Sequence, residues 1–171
     1  MALKKNSVFA FKIKGRKIPV TGIVMDFGKE WILIRYVPVD YVLDGYCFIR
    51  RKYIKDFERG SVELFKESVF KAKRVEFDND HVFPLDTLID SLKIFHDKSV
   101  LIQFDLSDER VAYIGKIIEL SDKSFTIKNL STRGVWLDKQ EYKIDAVRTI
   151  QVENDYLISL SAYAKSKSKK N

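Results

Sequence analysis

Apolar residues alternate with other residues at period two in two well-separated stretches, Phe9, Phe11, Ile13 and Val100, Ile102, Phe104, Leu106. That spacing belongs to half-buried strands. Sliding the chain along itself by 93 residues superimposes them, Phe9, Phe11 and Ile13 falling on Ile102, Phe104 and Leu106. Gly22 then falls on Gly115, Val24-Met25 on Ile117-Ile118, and Ile32 and Ile34 on Phe125 and Ile127. A one-residue slip aligns Leu43-Asp44 with Leu137-Asp138, and the register returns at Ile54 on Val147 and Phe57 on Ile150. Such coincidence over five successive segments predicts an internal repeat.

Each copy reads as five strands. The first two flank the turns Lys14–Lys17 and Ser107–Arg110, and Gly22 and Gly115 sit inside the second strand, where a missing side chain permits a bend or close backbone approach. Trp31–Arg35 and Phe125–Lys128 follow, then Tyr46–Arg50 and Glu141–Ile144, with Val62–Phe65 and Tyr156–Leu160 as the final pair. Short, bent antiparallel strands favour closure, because a barrel removes exposed edges. Between the copies, Leu85, Leu88, Ile89, Leu92 and Phe95 share one helical face, with Pro84 in the first turn and Asp86 and Asp90 toward the N-terminal end. The expected fold is mainly β: two tandem five-stranded small barrels, at 1–66 and 98–163, joined by a 67–97 linker whose amphipathic helix spans about 85–96. Residues 66–77 suit either a strand extension or a short helix, and the lysine-rich tail 164–171 reads as disordered.

Composition bounds the function classes. Apolar residues make up 46% of the 171 residues and aromatics 13%, enough for packed cores. No run approaches a membrane span, and Lys4-Lys5 without an apolar stretch behind them do not read as a signal peptide. The single cysteine, Cys47, has no internal disulfide partner, so a reducing bacterial cytoplasm is expected. The net charge of +7 is uneven, with residues 1–66 holding 14 Lys or Arg against 7 Asp or Glu while residues 98–163 hold 9 against 10. Any polyanion site therefore belongs to the first copy.

The second copy's order, from helix through Val100–Leu106, Ile114–Leu120, Asp122–Asn129 and Tyr142–Ile150, resembles the Sm-like superfamily of small barrels, including bacterial Hfq-type RNA chaperones. The resemblance covers about residues 86–160 and extends to 8–66, and it implies an RNA-binding barrel. The pattern departs at the motif level. Lys143 is followed by Ile144 and Asp145 rather than His, and the loop position that carries an aromatic in the family holds Trp31 in copy one but Ser124 in copy two.

Candidate chemistry is sparse. His96-Asp97 resembles an oriented base but suits a helix C-terminus, Cys47 sits in a strand as a buried thiol, and Asp78–His81 reads as a turn rather than a metal loop. No catalytic, metal or cofactor motif emerges, so a non-enzymatic protein with no cofactor is expected. Alternation places Arg51, Tyr53 and Lys55 on one face near Arg35, and with Trp31 these would pair with phosphates and stack on bases. The same charges equally suit solvation of a barrel face. Two apolar loops, with Tyr41 and Leu43 in one and Val135, Trp136 and Leu137 in the other, are candidates for an interface between barrels or with a partner. The expectation is a binding module with a protein-interaction or structural role, through an unidentified protein or self-association, with RNA binding as the alternative and no membrane contact.

Overall fold

The computed structural model describes residues 2–76 and 82–168. In the first half, strands β1 (Val8–Ile13), β2 (Val20–Phe27), β3 (Trp31–Tyr36), β4 (Tyr46–Arg50) and β5 (Ile54–Glu58) precede helix α1 (Ser61–Ala72). Helix α2 (Asp90–Asp97) leads into β6 (Leu101–Asp105), β7 (Tyr113–Leu120), β8 (Ser124–Leu130), β9 (Trp136–Lys143) and β10 (Thr149–Val152), with α3 (Asp155–Ser168) last. Every pairing is antiparallel, in one sheet ordered β5-β1-β2-β3-β4-β10-β6-β7-β8-β9.

The fold is mainly β, but the expected closed barrels do not form. The edge of β4 is taken by β10 of the other half, from Tyr46 opposite Val152 to Ile49 opposite Thr149, and β10 also pairs with β6. Joining the halves protects these edges as closure would, and it leaves β5 and β9 at the two ends of a continuous sheet. Within each half the register recurs 93 residues later. Phe9 faces Gly22 as Ile102 faces Gly115, and Trp31 faces Arg50 as Ser124 faces Lys143. Even the irregularity after Val24 has its counterpart after Ile117. A Cβ on Gly22 would lie 2.6 Å from the Arg35 carbonyl oxygen, so glycine allows β2 to approach β3 at the bend.

Three expectations need correcting. The fifth strands are Ile54–Glu58 and Thr149–Val152, whereas Val62–Phe65 and Tyr156–Leu160 are helical. Asn154 Oδ1 accepts the Leu157 N–H and caps α3, and Glu63 accepts the Gly60 N–H at the start of α1. The linker helix begins at Asp90 rather than near residue 85, because the Leu85 carbonyl instead accepts the Glu30 and Trp31 N–H groups, and Asp86 accepts that of Lys29. Lastly, α3 continues to Ser168, with Ala164 buried, where disorder was expected from residue 164. The Asp78–His81 segment lies outside the described residues.

The first half buries both faces of its sheet, which explains the unbroken apolar runs in β3 and β4. Phe9, Phe11, Ile32, Ile34 and Cys47 face one core. Trp31, Leu33 and Phe48 face another, which they share with Leu85, Leu92, Phe95 and the inward residues of the second half. Outer positions of β9, in contrast, are exposed.

Candidate functional site

The basic stretch after β4 does not stay extended. Arg51–Tyr53 form a single 3-10 turn, so the alternation that would align Arg51, Tyr53 and Lys55 is broken. Trp31 is 0% exposed, and no nucleobase can stack on it. The Arg50 guanidinium lies 5.3 Å from the Trp31 ring centroid, itself buried, with Nη2 3.3 Å from Glu30 and 3.6 Å from Asp145. Lys52 pairs with Asp145 as well, and its hydrogen bond, against some opposing burial, holds that carboxyl below the usual aspartate range. Tyr53 donates its hydroxyl to the Asp145 carbonyl at 2.7 Å and lies between Lys52 and Arg148. Arg51 donates to the Gly28 carbonyl, Arg35 stacks on Tyr46, and Lys55 is exposed on the edge strand β5. Of the candidate residues only Tyr53 reaches across the seam, while Arg51, Arg35 and Lys55 stay on the first half. Within the cluster, Arg50 and Lys52 reach across the seam to Asp145.

A second seam network surrounds Asp105, which is buried. It accepts the Thr149 hydroxyl and pairs with Arg16 at 3.2 Å, and Arg148 donates to the Lys14 and Ser107 carbonyls. Cys47 lies close by with no exposure, and burial first, then the Asp105 charge, pushes its thiol far above the ordinary range. Such a thiol is not a nucleophile. His96 Nδ1 is 3.0 Å from Asp97 at the exposed end of α2.

The apolar loops are placed apart. Tyr41 and Leu43 lie between β3 and β4, whereas Val135–Leu137 lie at the start of β9, with β10, β6 and β7 intervening in the sheet. The two loops therefore do not meet each other: β4 and β10 pair the halves, while Tyr41 and Leu43 pack against the shared apolar cluster and neighbouring Asp44 accepts the Asp155 N–H. Tyr41 packs edge-on against Phe65 of α1, 6.1 Å between centroids.

Helix α1 takes the helical alternative left open for 66–77 and starts earlier, at Ser61, and it is turned inside out. Glu63, Glu67 and Phe70 face inward, whereas Val62 and Phe65 are each 60% exposed and Leu64 is also open. Glu67 is anchored by Arg59 at 2.9 Å, Lys71 at 3.0 Å and the Val8 N–H at 3.4 Å. Burial alone would raise its pKa, but these hydrogen bonds prevail and hold it below the usual glutamate value. The signal was present in the i, i+4, i+7 spacing of Glu63, Glu67 and Phe70. Beside Val62 runs a groove of 600 Å³ between α1 and the 36–40 loop, with exposed Ile18 and Val39 on its walls and Asp40, Glu58, Glu63 and Glu109 against Arg16 and Lys66.

A cleft of 620 Å³ opens on the second half, bounded by Leu88, Asp122–Ser124 and Glu141–Asp145. Its counterpart on the first half is covered by residues 83–86, with Phe83 packed edge-on against Phe48 at 5.0 Å. No cluster of three metal-ligating side chains occurs among the described residues, and no helix there is long and apolar enough to cross a membrane. The chain matches no protein-family model, no curated protein and no solved structure.

Proposed function

We propose that the protein is a non-enzymatic protein-interaction module that docks a partner on the outer face of α1 and the adjoining groove. The observation that carries this reading is the inversion of α1, which points Val62, Leu64 and Phe65 at solvent while two glutamates face the sheet. Contiguous exposed apolar surface on a folded protein marks a binding site, and Ile18, Val39 and Tyr41 extend it around the groove. Glu58 on that groove is already paired with Lys12, and the remaining carboxylates, Asp40, Glu63 and Glu109, suit a partner segment of apolar residues interleaved with Lys or Arg.

Burial of Trp31 and the internal hydrogen bonds of Arg51 and Tyr53 argue against RNA as the main ligand, leaving Arg35 and Lys55 of the candidate set. The strand order shared by both halves supports the internal repeat, and an architectural resemblance does not carry RNA binding with it. The test is affinity capture with the full chain and with a Val62→Asp/Phe65→Asp variant, each before and after nuclease treatment. Protein partners are expected to survive nuclease and to be lost with the variant. Loss of every partner to nuclease, or retention by the variant, refutes the reading.

A further inference from the structure

The cleft on the second half has an internal template. Because Trp31 faces Arg50 and Ser124 faces Lys143 in the same register, Ser124 stands where the first half has an indole, and Lys143 where it has the covering guanidinium. In the first half the ring lies buried beneath its cation at 5.3 Å. In the second half the serine leaves that volume open, and the cleft there is bounded by Ser124, Lys143 and Leu88. The geometry points to a binding site for a planar aromatic ring of indole size, held between Leu88 and the Lys143 ammonium.

Three further observations define the ligand. The volume of 620 Å³ lies within the range of small-molecule sites. The chain's own covering segment cannot dock here as it does on the first half, since Gly28, which the Leu85 carbonyl overlies, is replaced by Ser121. The Ser121 hydroxyl instead accepts the Ser124 N–H at 3.1 Å, the bond that Leu85 provides to Trp31. The site thus keeps the hole for a ring while losing the seat for a strap. Asp145 is already paired with Arg50 and Lys52, and Glu141 accepts the Ser124 hydroxyl, so no concentrated charge of either sign faces the cleft and nothing there is built to clasp a phosphate. The ligand class is therefore an uncharged aromatic, either a free indole-like compound or a tryptophan side chain of a partner.

The experiment is titration of the full chain with indole, N-acetyltryptophanamide and uridine monophosphate, followed by amide NMR. Indole is expected to give saturable shifts centred on Ser121–Ser124 and Glu141–Asp145. Ser124→Trp, which supplies the ring from the chain itself, is expected to weaken binding at least tenfold. Lys143→Ala, an exposed substitution that leaves the fold intact, should weaken it about fivefold, as expected for loss of a cation over a ring. Tighter binding of the amide than of indole assigns the ring to a partner's tryptophan, and the reverse assigns it to a free compound. Absence of saturable shifts, undiminished binding by both variants, or preference for the nucleotide overturns the proposal. None of these results bears on the α1 face.

Discussion

Asp105 shows how one carboxylate can hold two halves of a chain together. It sits on β6, accepts the Thr149 hydroxyl from β10 and pairs with Arg16, which comes from the β1–β2 turn of the first half. Truncating one member of a buried pair leaves the other charged and unsatisfied, which costs more than the pair itself contributes. Asp105→Ala is therefore expected to lower the unfolding free energy by about 3 kcal/mol in urea titration, and Arg16→Met in the same background should recover part of it. A single-mutant loss below about 0.5 kcal/mol would show that the pair behaves like an ordinary surface salt bridge. Trp31 carries a related lesson. It was read as a stacking residue because it fills the loop position that carries an aromatic in Hfq-type proteins, yet what buries it, Leu85 and the layer around Phe95, lies more than fifty residues away in the chain. Local pattern carries no information about such a cover.

At the scale of elements, period-two alternation made most strands legible, and the shift of 93 matches the pairing register throughout both halves. The fifth strand of the first half was misplaced because Ile54–Glu58 is mostly exposed and charged, and that of the second because Thr149–Val152 is only four residues long, whereas Val62–Phe65 and Tyr156–Leu160 carry apolar residues that suit either period. Helix α1 reversed the usual rule by pointing carboxylates inward, and that reversal is titratable. Glu67 has a folded-state pKa below its ordinary value of 4.5, so its contribution is present above the unfolded value and lost as pH falls through the folded one. Wild type and Glu67→Gln are expected to differ in stability at pH 7 and to converge as pH falls below the depressed folded-state pKa of Glu67. Parallel stability–pH curves for the two proteins would count against this role. Hydrogen exchange along α1 should locate the loss to that helix, where Glu67 meets Val8, Arg59 and Lys71.

For the whole molecule, the decisive element is β10, four residues hydrogen-bonded to β6 on one side and β4 on the other. Because the halves share this strand and one apolar cluster, they are expected to unfold together. Calorimetry should give a single transition with equal calorimetric and van't Hoff enthalpies, and two resolved transitions would mean that the halves are independent. The same strand sets an order on the making of the protein. Tyr46–Ile49 leave the ribosome about a hundred residues before Thr149–Val152, their partners, a wait of roughly 5–20 s at ordinary rates of synthesis. During that interval the nascent first half carries an unclosed apolar edge, a lodging for any passing strand. The chain's dependence on a companion is thus greatest before it is finished, when a chaperone at the exit tunnel would stand in for β10.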